Sequence, residues 1–178
     1  MTHDIVIAGF GGQGVMLMGQ LITEAGLKEE KKVTWLPSYG PEMRGGTANC
    51  SVVVSDQDIG SPIVLSPSAA IVMNIQSFEK FAPMVREGGM LFINSSLIEQ
   101  VCTRTDIKQY RIPANDIAEK IGSSRVANMV MLGAFLEATH AVEVESVVYT
   151  LKKKLPAHRQ NLMPLNEEAL KSGAAEIQ

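Results

Sequence analysis

The chain has 178 residues, a formal net charge of −3, 46% hydrophobic residues and only 5% aromatic ones. That length suits a single domain, 1–178, able to bury roughly two-thirds of the surface its unfolded form exposes without disulfide or metal staples. The slight acidic balance excludes an ordinary nucleic-acid partner, which is met by a strong basic excess or stripe, and the aliphatic, aromatic-poor composition favours helices packed on a parallel sheet over a β-sandwich.

In chain order, Ile5 to Ala8 is an apolar run stopped by Gly9, as a strand buried on both faces is. From Gln13 to Leu27 the residues Val15, Leu17, Met18, Leu21, Ile22 and Ala25 recur at helical spacing, and Val33 to Leu36 reads as a second strand. Strand, glycine turn, helix, strand is a βαβ opening and predicts a right-handed parallel crossover. Thr47 to Ser55 reads as a third strand, Ala69 to Met73 as a fourth, Ser77 to Val85 as a short helix, and Met90 to Ile93 as a fifth strand. Ile107 to Ile112 gives a sixth strand, and Pro113 opens a helix to Ile121 that Gly122 closes. Val126 to Ala141 is apolar nearly all round and predicts a central helix. Glu143 to Lys154 follows as an amphipathic helix whose final three lysines suit its negative end. Residues 157–172 form a weaker helical segment before a tail expected to fray. The expected fold is three-layer α/β, a doubly wound, mostly parallel, Rossmann-like sheet with helices on both faces.

Cys50 and Cys102 are the only cysteines. Two thiols cannot hold structural zinc or a common iron–sulfur cluster, which take four ligands, so they read as free, buried thiols. Met1-Thr2-His3-Asp4 lacks a basic leader, and no apolar run nears the roughly 18 residues a membrane span takes. The expectation is a cytoplasmic protein without membrane contact. His3, His140 and His158 are scattered, and no Ser/His/Asp or Cys/His arrangement can be assembled from spacing; no catalytic residue or metal ligand is expected.

Two loops carry the functional signal. Gly9, Gly11 and Gly14 satisfy G-x-G-x-x-G between a strand and a helix, where backbone N–H groups and the helix dipole favour an anion. Gly12 and Gln13 complete this turn, which serves either strand–helix packing or the binding of a phosphate or partner loop. A dinucleotide reader adds an acid about 20 residues further on, but Val33-Thr34-Trp35-Leu36-Pro37 has none, and no Gly-Lys-Ser/Thr marks a P-loop. The second loop, Ser38-Tyr39-Gly40-Pro41-Glu42-Met43-Arg44-Gly45-Gly46, offers a planar cation, an anion and an amphipathic ring on a glycine-hinged backbone. It reads as a contact surface, with a plain exposed loop and a local Glu42–Arg44 pair as the alternative. Asn128 lies on the apolar helix on the face of Leu132, Phe135 and Thr139; a buried amide needs partners, either a loop backbone or a ligand.

Ile-Ala-Gly-Phe-Gly-Gly-Gln-Gly at 7–14, the loop at 38–46 and Asn-Met-Val-Met-Leu-Gly-Ala at 128–134 together resemble the gamma subunit of 2-oxoacid:ferredoxin oxidoreductases, over almost the whole chain. The Trp-Leu-Pro-Ser-Tyr-Gly-Pro-Glu form is most similar to the 2-oxoglutarate and branched-chain 2-oxoacid members. The resemblance implies a complex that decarboxylates a 2-oxoacid on thiamine diphosphate, passes electrons through iron–sulfur clusters to ferredoxin and captures the acyl group on coenzyme A. It implies alpha and beta partner subunits, with a ferredoxin-like delta subunit as a further candidate, and places thiamine diphosphate, magnesium and the clusters on those partners. This chain alone would bind no cofactor but would contact coenzyme A in the complex. The expected contact residues are Gly9, Gly11, Gly12, Gln13, Gly14, Ser38, Tyr39, Glu42, Arg44, Gly45, Gly46 and Asn128. The alternatives are a free-standing dinucleotide-dependent oxidoreductase domain and a purely structural subunit. Isolated, the chain would self-associate through its exposed docking face.

Overall fold

A computed structural model describes residues 1–38 and 47–177. Its elements are β1 (Thr2–Phe10), α1 (Val15–Lys28), β2 (Lys32–Ser38), β3 (Thr47–Ser55), β4 (Ala69–Val72), α2 (Ile75–Phe81), β5 (Met90–Asn94), β6 (Lys108–Ile112), α3 (Ala114–Ile121), α4 (Ala127–Thr139), α5 (Val144–Lys154) and α6 (Met163–Ala174). Short 3-10 turns extend α2 and precede α4 and α6. The strands form one mixed sheet in the order β2-β3-β1-β4-β5-β6. Pairings β1–β4, β4–β5 and β5–β6 are parallel, while β1–β3 and β3–β2 are antiparallel. The fold is the expected three-layer, mostly parallel α/β architecture.

One expectation is corrected. β2 runs in the same direction as β1 but is not its neighbour, because β3 returns between them and pairs with both. The physical reason lies in β3, where Ala48, Cys50, Val52 and Val54 form one buried apolar face on the main core and Val53 and Ser55 of the opposite face are buried too, as suits an interior position, whereas β2 is half-buried along most of its length and fits an edge.

Alternation in β1 splits the core in two. Ile5 and Ile7 face a large cluster built with α1, α3, α4, α5 and α6. Val6 and Ala8 face a smaller one in which Phe78 and Phe81 of α2 are the aromatic members. The two faces are therefore covered unequally, and Ile63, Leu65, Leu97 and Val101 stay exposed beside residues that pack on the smaller cluster.

Helix α4 is the central one: eleven of its thirteen residues are buried. It lies between the sheet and α6, and the two helices meet backbone to backbone. A Cβ on Gly133 would overlap the Leu170 carbonyl, and one on Gly173 would overlap the Val130 carbonyl. Gly122 ends α3 in the left-handed conformation at φ 118°, as its position in the sequence implies. The expected fraying is not seen as far as Ile177, which packs on the main core, and Gln178 lies outside the described residues. Among the final lysines of α5, Lys154 is anchored by Glu24 at 2.5 Å, and Lys153 sits over the Tyr149 ring.

Of the cysteines, Cys50 is buried but Cys102 is only half-buried; both are free. Burial pushes the Cys50 thiol up to about 11, so it is inert at neutral pH. His140 and His158 are exposed, whereas His3 is half-buried. Its Nε2 is buried without a hydrogen-bond partner. Burial, reinforced by Lys31, holds its pKa below the usual 6.5.

Two predictions follow from this packing. Gly133→Ala must push α4 and α6 apart and should lower unfolding free energy by about 3 kcal/mol in urea denaturation, whereas Gly60→Ala, where an added Cβ meets open space, should cost far less. The neutral His3 contributes stability that is complete above 6.5 and is lost as pH falls from there through its lowered folded value, because the unfolded chain takes up the proton first. The urea midpoint should therefore fall between pH 7.5 and 5.5 in the wild type, and fall less in His3→Gln.

Candidate functional site

In an open α/β sheet the ligand crevice lies outside the carboxyl ends of the parallel strands, where successive crossovers leave on opposite faces. Here that point is between β1 and β4: α1 packs on the larger core cluster and α2 on the smaller. The glycine turn 9–14 leaves the end of β1 there. Gly14 is the N-cap of α1 at φ 76° and ψ 19°, a conformation L side chains rarely adopt. No acidic residue occupies the first turn of α1, so its partial positive charge is uncompensated from within.

Gln13 joins the two sides of the switch. Its Oε1 accepts from the Phe10 N–H at 2.6 Å, and its Nε2 donates to the Met73 carbonyl at 3.3 Å. Asn74, the next residue after Met73, caps α2 by accepting from the Ser77 N–H at 3.0 Å. Asn94, at the end of β5 and fully buried, donates from Nδ2 to Asn115 Oδ1 at 2.8 Å.

Asn128 reaches this crevice from α4 and is 6% exposed. Its Oδ1 accepts from the Met129 N–H at 3.0 Å, and its Nδ2 abuts Gly14, where any Cβ would overlap it. The amide thus touches the glycine turn directly. A cavity of about 100 Å3 lies alongside, lined by Gly12, Gln13, Met73, Asn115, Ser124, Arg125, Ala127 and Asn128.

The structure thereby brings Gly12, Gln13, Gly14 and Asn128 together, with Gly9 at the base of the turn packed against Gln13 and Met73. Gly11 is exposed on the same turn. Ser38 ends β2, exposed, opposite Asn49, while Thr47 begins β3 opposite Phe10 of β1. Both flanks of the second loop therefore reach the sheet edge that carries the glycine turn. Tyr39, Gly40, Pro41, Glu42, Met43, Arg44, Gly45 and Gly46 lie outside the described residues. Asn115, Ser124 and Arg125 are lining residues that the sequence reading missed. The available signal was their position at the start of α3 and just before α4, both of which open at the carboxyl end of the sheet.

A glycine turn, a switch point and a polar cleft on a three-layer sheet define a doubly wound α/β domain with a crevice at the carboxyl ends of its parallel strands. Residues 4–176 match the family model described as pyruvate ferredoxin/flavodoxin oxidoreductase, and the chain belongs to that family. It is similar to the 2-oxoglutarate synthase subunit KorC of Methanocaldococcus jannaschii, 34% identical over 94% of this chain and 92% of that protein. It is also similar to the ketoisovalerate oxidoreductase subunit VorA of Methanothermobacter thermautotrophicus, 36% identical over 96% of this chain. Here the chain spans only 35% of the relative's length. Among solved structures, the gamma subunit of a keto/oxoacid ferredoxin oxidoreductase from Geobacter sulfurreducens superposes with a TM-score of 0.84 at 27% identity, covering 98% of this chain and 97% of that one.

The contact between Gly14 and Asn128 is testable by a double-mutant cycle. Gly14→Ala should cost about 2 kcal/mol or more, combining the left-handed backbone with the overlap. In an Asn128→Ala background the same change should cost less, leaving only the backbone part. Equal costs in both backgrounds, read from urea denaturation, would show that the two residues do not couple.

Proposed function

We propose that this chain acts as the gamma subunit of a 2-oxoacid:ferredoxin oxidoreductase, with 2-oxoglutarate or a branched-chain 2-oxoacid as substrate. In that assembly its crevice shapes the approach of coenzyme A and its loops dock against alpha and beta subunits, with ferredoxin reached only indirectly. The observation that carries the reading is the glycine turn at the β1/β4 switch point, backed by Asn128, in a chain that aligns along nearly its whole length with a gamma subunit. Oxidative decarboxylation needs thiamine diphosphate, and electron export needs iron–sulfur clusters; these belong to the partner subunits in this reading. What this chain supplies is positioning. Gln13 fixes the turn against β4, Asn128 holds its depth, and the start of α1 favours negative charge. Arg44 would pair with a phosphate of coenzyme A or a carboxylate of a partner.

Against the reading as a dinucleotide-dependent enzyme stands the position of β2. In a dinucleotide-binding domain the ribose acid sits on the strand beside β1. Here β3 occupies that place, so the end of β2 is displaced by a further strand spacing, roughly 5 Å, and carries no acid.

The decisive experiment is co-expression with the thiamine-binding subunits, followed by ferredoxin reduction at varied coenzyme A. Omitting this chain should abolish coenzyme A-dependent turnover. Arg44→Ala should raise the apparent KM for coenzyme A several-fold; if KM and kcat were both unchanged, the phosphate role would be lost, and failure of partners to co-purify would assign Arg44 to docking. Calorimetry of the isolated chain should show no saturable binding of NAD(H) or NADP(H), and such binding would reverse the ranking.

A further inference from the structure

The side chains around the 100 Å3 cavity share one chemical property: the acceptor of each carboxamide is already engaged, and its amino group is not consumed. Asn115 Oδ1 accepts from Asn94, Asn128 Oδ1 from the Met129 N–H and Gln13 Oε1 from the Phe10 N–H. Among the described residues, the amino groups of Asn115 and Asn128 have no acceptor, and that of Gln13 bonds only Met73, which leaves one of its two hydrogens. Arg125 adds a guanidinium that forms no ion pair with any described residue, and Ser124 adds a hydroxyl. No Asp or Glu is among the lining residues.

A cleft lined by donors from four separate segments, beside the positive end of a fourteen-residue helix, is complementary to a group that only accepts. The segments are the glycine turn, the start of α3, the turn before α4 and α4 itself, so the donors come from several directions. That favours a tetrahedral phosphate over a planar carboxylate. The cavity is far below the roughly 300–1,000 Å3 of a whole-ligand pocket and suits one such group.

We propose that Gln13, Asn115, Asn128 and Arg125 form a subsite for a single phosphate group, with Asn94 as a positioning residue that turns the Asn115 amide toward it. The inference deepens the reading of the crevice given above and rests on it for the source of the phosphate, while the subsite itself stands on the donor geometry.

Inorganic phosphate titrated into the isolated full chain, followed by amide NMR shifts at constant ionic strength, tests it. The expected result is saturable binding with shifts at Gly12, Gly14, Arg125 and Asn128. Arg125 is exposed, so Arg125→Ala should leave the thermal unfolding midpoint unchanged while weakening binding about tenfold or more, with partial recovery in Arg125→Lys. Asn94→Ala should weaken binding less, and Asn94→Asp, which keeps the shape but removes the donor to Asn115, should not restore it. Absence of saturation, shifts confined to another surface, undiminished binding by Arg125→Ala, or equal competition by acetate would each overturn the proposal, the last in favour of a partner's carboxylate. If Arg125→Ala loses phosphate binding yet leaves the coenzyme A KM of the assembled complex untouched, the subsite stands and the coenzyme A reading of it falls.

Discussion

The contact between Asn128 and Gly14 ties the central, almost wholly buried helix to the glycine turn. For the amide to rest on the turn, α4 must sit at a fixed depth and rotation over the sheet, and that depth is set from behind. Gly133 and Gly173 let α4 and α6 meet at their backbones, which leaves no slack layer of side chains to absorb a shift. In front, Phe135 of α4 packs edge-on to Phe92 of β5, and Phe92 stacks on Tyr110 of β6 at 5.0 Å between ring centres. Helix, strand and turn are thus held in one chain of close contacts, in which a small displacement at any link reaches the crevice.

The antiparallel return of β3 is the second organising fact. It puts a hairpin, β2 to β3, on the side of β1 where a dinucleotide-binding fold has a parallel strand, so the segment between Ser38 and Thr47 begins and ends at the edge that carries the glycine turn. Gln13 meanwhile ties the turn to β4 on the other side. The switch point is consequently bounded on both flanks: on one by the hairpin, on the other by Met73, Asn74 and the Asn94–Asn115 pair.

The elements themselves were legible because their signals are local. Apolar runs mark β3 and the middle of β1, which extends three residues before Ile5 and two beyond Ala8, helical spacing marks α1 and α5 within two residues, and Gly122 marks the end of α3. Strand adjacency was not, since an apolar strand buried on both faces reads the same in parallel and antiparallel pairing. The crevice was half legible. Glycines at 9, 11 and 14 announce a turn by spacing, and Asn128 stands out as a polar residue in an apolar helix, but nothing in the sequence shows that Nδ2 of Asn128 touches Gly14. Asn115, Ser124 and Arg125 are ordinary residues for helix starts, and only the fold brings these two starts beside that of α1 at one end of the sheet.

Unequal covering of the sheet is the remaining constraint on function. The face carrying α1 and α3 to α6 is closed by five helices, whereas the other has α2, a seven-residue helix, and two irregular connections, 56–68 and 95–107. Ile98 and Ile107 pack the second of these on the smaller cluster, and polar ties hold its backbone. Arg104 pairs with Asp106 and donates to the carbonyls of Ala82 and Val85; Arg111 donates to those of Ile98 and Gln100. Such ties fix a backbone without hiding its side chains, and Leu97 and Val101 accordingly stay exposed next to buried Ile98. A face built in this way keeps a defined shape while leaving apolar surface uncovered. That is the combination a docking surface needs, because its area can be buried against a partner without the ordering cost a mobile loop would add.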